Sequence, residues 1–200
     1  SVEGALMQTP ATGNAPLVDP TASPLATALA SPLVGRANRD GAQLFRDWFS
    51  TLGDAAERGQ GGAYVFVMGS LAELLRTFDF PIVFPEINSL QTAVRHLAHD
   101  YLDEAEDFGY SPDICSYLTS DIGSYLKKST PLSKAYPGIA SVPRPDVLVY
   151  NTNQCRDVQD WFNWYSKELK VPAIGISSPK NVVDVSEGLL GGCTAELKRL

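Results

Sequence analysis

Four short apolar runs constrain this chain more than any other feature: Tyr64-Val-Phe-Val-Met68, Ile82-Val-Phe84, Val147-Leu-Val-Tyr150 and Val171 to Ile176. A run with no polar interruption suits a strand buried on both faces, as parallel sheets require. Segments of helical period lie between them. Val158, Trp161, Phe162, Tyr165 and Leu169 fall on one helical face, as do Ile114, Leu118, Ile122 and Tyr125. Strands that alternate with helices predict an α/β fold with a mainly parallel sheet, and such sheets take ligands beyond the carboxyl ends of their strands.

The remaining elements follow from the same reading. Leu44, Phe45, Trp48, Phe49, Leu52 and Ala56 predict a helix that stops before Gly59. Ser70 and Glu73 have the capping-box spacing ahead of Leu74, Leu75 and Phe78. Leu90, Val94, Leu97, Tyr101, Ala105 and Phe108 predict one long amphipathic helix ending at Gly109, with Asp100, Asp103, Glu104 and Asp107 on a solvated face. Ser111-Pro112 is expected to cap and open the next helix, which places Cys115 in its first turn. Cys155 opens the helix that follows the strand ending near Tyr150. Residues 1–36, rich in Ala, Pro, Thr and Ser, predict an extended or flexible arm; 37–180 form the α/β domain, and 181–200 begin a following segment.

Composition removes several function classes. The net charge of −7 and the lack of any basic run argue against a nucleic-acid partner. The longest apolar runs, such as 63–68 and 80–84, are far shorter than the roughly 18–20 residues that cross a bilayer, so no membrane association is expected. The start shows no charged and then apolar leader pattern. Three cysteines make an odd count for a disulfide framework and suit a reducing, cytoplasmic setting. "GQGGAY" precedes a strand instead of following one, the wrong order for a dinucleotide-binding fingerprint.

Cys115 and Cys155, 40 positions apart, each lie at the start of a predicted helix. Unsatisfied amides there carry partial positive charge, which suits an anionic sulfur that ligates a metal or attacks an electrophile. The spacing is not that of a zinc ribbon or a ferredoxin, so buried structural thiols, metal ligands and a redox dithiol all remain open. Cys193 lies in "LLGGCTAEL", where two glycines are expected to break any helix. His96 and His99 share a segment with Asp100 and Asp103, a group read as solvated surface rather than a metal site. Glu86 and Asn88 follow Pro85 at a strand end. They either cap the next helix or enter the ligand crevice, where a buried carboxyl would be raised and could exchange a proton. Ser70 has the same two readings, cap or substrate hydrogen bond, and Asn151 and Asn153 either cap their helix or bond to sulfur or substrate. Trp164 is one aromatic too many for its helical stripe, free to meet a partner subunit or domain.

Three stretches, "FDFPIVFPEINSLQTAVR", "GYSPDICSYLTSDIGSYL" and "PRPDVLVYNTNQCRDVQDWFNWYSKELKVPAIGI", together resemble the family of 2-hydroxyacyl-CoA dehydratase and benzoyl-CoA reductase subunits. The resemblance covers roughly residues 62–179, in the order strand-Pro-Glu-x-Asn, Asp-x-Cys-Ser-Tyr, then Pro-Asp-strand-Asn-x-x-Cys-helix. It implies two Rossmann-like halves per subunit around a 4Fe-4S cluster held by three cysteines, of which two match Cys115 and Cys155. The third normally lies in the second half, so this chain would be an N-terminal portion without it. It further implies a second homologous subunit, an ATP-dependent iron-sulfur activator that delivers single electrons, and an acyl-CoA substrate. The reaction would be reduction of an aromatic acyl-CoA or dehydration of a 2-hydroxyacyl-CoA through a ketyl radical. "SDIGSYL" and "PEINSLQTAVR" look more like the reductase's cluster subunit. The opposing expectation is a non-catalytic structural or assembly subunit, and a third is a thiol redox protein in which Cys115 and Cys155 form a reversible disulfide.

Overall fold

The structure is a computed structural model that describes residues 32–66, 71–136, 138–177 and 185–200. The chain packs as two units, 1–45 and 46–200. Helix α1 (Pro32–Glu57) begins inside the stretch expected to be an irregular arm, whose other residues lie outside the described ones. In the first unit Leu44 and Phe45 are exposed. In the second, Phe49, Leu52 and Ala55 are buried and Trp48 packs against the same cluster, so the apolar stripe read from Leu44 onward reaches the core only from Trp48.

The second unit is built on four parallel strands, β1 (Gly62–Val65), β2 (Ile82–Val83), β3 (Pro145–Asn151) and β4 (Ala173–Ile176), in the order β2-β1-β3-β4. The period of two along each strand divides the core. Tyr64, Val83 and Leu148 enter one apolar cluster, while Ala63, Val65, Ile82 and Val149 enter the other. Leu148 and Val149, adjacent in sequence and on opposite faces, are both 0% exposed, which is why β3 reads as an unbroken apolar run.

Strand order reverses at β1: the chain steps one way to β2, then returns past β1 to β3 and on to β4. Right-handed crossovers therefore place the connecting helices on opposite faces. Helix α2 (Ala72–Arg76) covers the Ala63 face with Leu75. Helices α3 (Pro85–Val94), α4 (Ala98–Phe108), α5 (Ser116–Leu126), α6 (Pro131–Ala135) and α7 (Arg156–Leu169) serve the return, and of these α3, α5, α6 and α7 place side chains in the Tyr64 cluster. The crevice between β1 and β3 is the topological switch point, where open sheets of this kind bind ligands.

Three local expectations are corrected. The single helix read across Leu90–Phe108 is two helices, α3 and α4, broken where His96 takes a left-handed φ of 55°. Leu90, Val94 and Phe108 are exposed, and α3 instead buries Ser89 and Thr92, because it meets α5 through hydrogen bonds. Glycines 191 and 192 do not stop helix α8 (Glu187–Leu197), which is capped by the Ser186 hydroxyl accepting from Leu189 N. The acidic face of α4 is exposed, as its pattern predicts, and carries surface ion pairs. Lys134 pairs with Asp100 at 2.9 Å and Lys127 lies 3.8 Å from Glu104, partners 34 and 23 positions away that no local pattern shows.

Helices α4 and α5 approach closely at Gly123, where an added Cβ would collide with the Tyr101 carbonyl oxygen. Only a residue with no side chain fits there.

Candidate functional site

Cys115 and Cys155 are the N-cap residues of α5 and α7. Ser111-Pro112 opens a turn instead of the helix: Asp113 N donates to Ser111 Oγ at 3.2 Å, and the helix starts four residues after Pro112. Cys115 thus stands at the helix mouth and not inside the first turn. Neither sulfur accepts a capping hydrogen bond, although each cysteine carbonyl accepts from its helix, from Thr119 N at 3.1 Å and from Val158 N at 3.3 Å. The first-turn amides of both helices therefore keep donors available at the thiol end.

The two helices run parallel and in register. Asp121 lies six residues beyond Cys115, and Trp161 six beyond Cys155. Trp161 Nε1 donates to Asp121 Oδ2 at 2.9 Å. Tyr125 and Tyr165, each ten residues past its cysteine, meet ring to ring at 5.8 Å. Contacts at equal offsets from both N-caps place the two thiols at the same end of the helix pair. Cys155 also follows β3 by four residues, beside the switch point.

Asp121 is the centre of the polar packing beneath that end. Only 3% exposed, it accepts from Trp161, from Tyr165 OH at 2.6 Å and from Asn88 Nδ2 at 2.6 Å. Burial raises its carboxyl to about 6, against the lowering pull of those three donors. The same carboxylate and burial push the Tyr165 hydroxyl up. No cation faces it among these partners. The sequence reading missed this residue, yet a signal was present: 118, 121, 122 and 125 form one helical face, and Asp121 occupies a core position on it.

Asn88 is committed to this network, since it also donates to Ser124 Oγ at 3.0 Å and accepts from Thr130 Oγ1 at 3.0 Å. It does not cap α3, whose N-cap is Phe84 with no side-chain bond, and neither does Glu86. Glu86 sits half-buried in the first turn of α3, with its carboxyl raised by desolvation. Asn151 ends β3 and Asn153 is exposed in the following turn; the cap of α7 is Cys155. Ser70 lies outside the described residues, and α2 has Leu71 as its N-cap. Trp164 packs edge-on against Tyr125 at 5.3 Å and Phe108 at 6.2 Å, so this chain itself supplies ring partners.

Cys193 is not brought to the other two. Among the described residues no three His, Cys, Asp or Glu side chains are placed to hold a metal ion. Leu200, just beyond α8, packs in the Ala63 cluster, whereas Cys115 packs against the Tyr64 cluster. The donor set suits two thiolate ligands of an iron centre and leaves its remaining positions to other residues. A cavity of about 590 Å³ lies at the other end of α5 and α7. Leu126, Leu169, Arg144 and Trp48 line it, and it reaches Asp121. None of the described helices is long and apolar enough to cross a membrane.

The B-type subunit of benzoyl-CoA reductase from Thauera aromatica is 29% identical over 131 residues, covering 66% of this chain and 29% of that protein. The alpha subunit of lactoyl-CoA dehydratase from Anaerotignum propionicum is 30% identical over 138 residues, 64% of this chain and 32% of the relative. The (R)-2-hydroxyisocaproyl-CoA dehydratase alpha subunit of Clostridioides difficile is 30% identical over 112 residues, 56% and 26% respectively. The chain spans about a third of the length of the curated relatives it matches. The model of the 2-hydroxyglutaryl-CoA dehydratase D-component family matches residues 70–199, and the chain belongs to that family.

Proposed function

We propose that this chain is the cysteine-bearing N-terminal portion of an iron-sulfur subunit that passes low-potential electrons to an acyl-CoA thioester. The reaction is reduction of an aromatic acyl-CoA, with dehydration of a 2-hydroxyacyl-CoA as the alternative. Both activities appear among the names of its relatives, at nearly equal identity. The observation that carries the reading is the pair of cysteine-capped helices held in register, with unbonded first-turn amides at the thiol end.

Cys115 and Cys155 hold two positions of a 4Fe-4S cluster, and the third thiolate comes from a part of the complete polypeptide outside this chain. Such a cluster supplies one electron at a time at low potential. The remaining roles belong to protein side chains. The helix amides stabilise sulfur-borne charge, and Asn151 and Asn153 hydrogen-bond sulfur or substrate. Glu86, raised by burial, holds a proton for the reacting acyl group, while Asn88 orients α3 beneath it and Ser70 donates a hydrogen bond to the thioester. The working enzyme requires a second homologous subunit and an ATP-dependent activator, in the cytoplasm.

The test is anaerobic reconstitution with iron and sulfide of the complete subunit that carries this chain, followed by measurement of both per polypeptide for the parent, Cys115→Ser, Cys155→Ser and Cys193→Ser. Retention of about four irons, lost in the first two variants and kept in the third, supports the reading. Iron-free protein under every condition, or loss at Cys193 alone, overturns the ligand assignment.

A further inference from the structure

We propose that Asp121 is the positioning residue that fixes the separation of the Cys115 and Cys155 sulfurs, by clamping α5, α7 and α3 together one common step below the thiols. This deepens the reading of the two cysteines as paired ligands and rests on it for its functional meaning. The geometric claim itself needs no iron.

Two different chain segments supply the cysteines, and no bond joins them directly. What sets their spacing is whatever prevents α5 from sliding along α7. Apolar contacts are poor at this, because ridges can shift by one residue at small cost. A hydrogen bond from a ring nitrogen to a carboxylate oxygen is directional and is lost with a displacement of about 1.5 Å, the rise of one helical residue. Asp121 Oδ2 takes two directional bonds from α7, one from Trp161 Nε1 and one from Tyr165 OH, one turn apart. Two points on one helix define both its height and its rotation. Oδ1 takes the third bond from Asn88, and Ser89 Oγ of the same helix donates to the Tyr117 carbonyl at 2.6 Å, which locks α3 across α5. The clamp sits about 9 Å from each N-cap, six residues at that rise, deep enough to stay dry and near enough that an axial slip appears almost undiminished at the thiols.

The experiment places nitroxide labels on Cys115 and Cys155 in the Cys193→Ser chain and measures the distance distribution by electron paramagnetic resonance. The variants are Asp121→Ala and Trp161→Phe, the second keeping the apolar volume in place, with Leu75→Ala as a control. Leu75 lies in the cluster on the opposite face, so its loss lowers stability without touching the clamp. The parent is expected to give one narrow population. Asp121→Ala and Trp161→Phe are expected to shift its mean by about 1.5 Å or to split it, while Leu75→Ala leaves it unchanged. A broad parent distribution overturns the proposal, as does a response of the clamp variants equal to that of Leu75→Ala. If the distances behave as expected and the complete subunit still takes up no iron, the clamp stands and the cluster reading falls.

Discussion

Asn88 Nδ2 lies 2.6 Å from Asp121 Oδ1, across 33 positions of sequence, and brings to that carboxylate a donor from outside the helix pair. Asn88 can do this because its amide is both donor and acceptor: Nδ2 faces Asp121 and Ser124 while Oδ1 receives Thr130. Its neutrality matters as much as its shape. A buried carboxylate whose partners are all uncharged has no Coulombic compensation, so each donor is needed.

Asn88→Asp should therefore be worse than Asn88→Ala at neutral pH, although it is nearly isosteric. The aspartate removes the donor and places a second carboxylate against Asp121, so one of the two must take a proton. Asn88→Ala should cost about 1.5–3 kcal/mol, the value of a hydrogen bond to a charged group. The gap between the variants should narrow as pH falls toward the ordinary aspartate value near 3.9 and the two carboxyls take up protons. Urea unfolding at pH 4.5 and 7.5 reads both numbers, and equal stability of the two variants at pH 7.5 would contradict the network.

Asp121 also gives the fold a pH dependence of defined sign. Its folded value is about 6 and its ordinary value 3.8, so between these limits the native chain binds more protons than the unfolded one. The stability it contributes is fully present below the ordinary value and is lost as pH rises through about 6. The size is about 3 kcal/mol, from a shift near two units at 1.36 kcal/mol each. The difference in unfolding free energy between the parent and Asp121→Asn should fall by that order from pH 4 to pH 7. A difference independent of pH would mean that Asp121 is not the buried titrating group.

The placement of the two cysteines at helix starts, the strands and the buried face of α7 could be read from the sequence because each rests on local information: a period of two or 3.6, or a residue just past a strand. Val158, Trp161, Phe162 and Tyr165 are the residues that α7 buries. What could not be read depends on distant partners. Leu90 and Val94 kept helical spacing yet face solvent, because α3 turns its Ser89 and Thr92 side inward, where Ser89 donates to the Tyr117 carbonyl of α5. The position of Asp121 on the apolar face of α5 was legible, but its partners Trp161 and Tyr165, 40 and 44 positions on, were not.

Gly123→Ala should be among the most damaging small substitutions in the chain. A methyl group there meets the Tyr101 backbone carbonyl, which cannot rotate away, so α4 and α5 must part. Overpacking of this kind costs about 1–3 kcal/mol, whereas alanine in an open helix interior would gain up to about 1 kcal/mol over glycine. Gly191→Ala in α8, with nothing near its Cβ position, is the internal comparison and should be neutral or stabilising. The two melting temperatures should move in opposite directions.

Glu86→Gln separates proton transfer from assembly. The substitution keeps size and hydrogen-bonding capacity while abolishing ionisation, and Glu86 makes no part of the Asp121 clamp, so neither thiol spacing nor iron uptake should change. Desolvation raises the Glu86 carboxyl, which favours its protonated form at a pH where an exposed glutamate is already charged. If that proton reaches the acyl group, turnover of the complete enzyme should drop by about 10²-fold or more, with iron content equal to the parent. The fall in rate as pH rises through the raised carboxyl, which marks a donor that must be protonated, should disappear in the variant. Turnover within a few fold of the parent would assign Glu86 to the first turn of α3 alone and move the proton donor elsewhere in the enzyme.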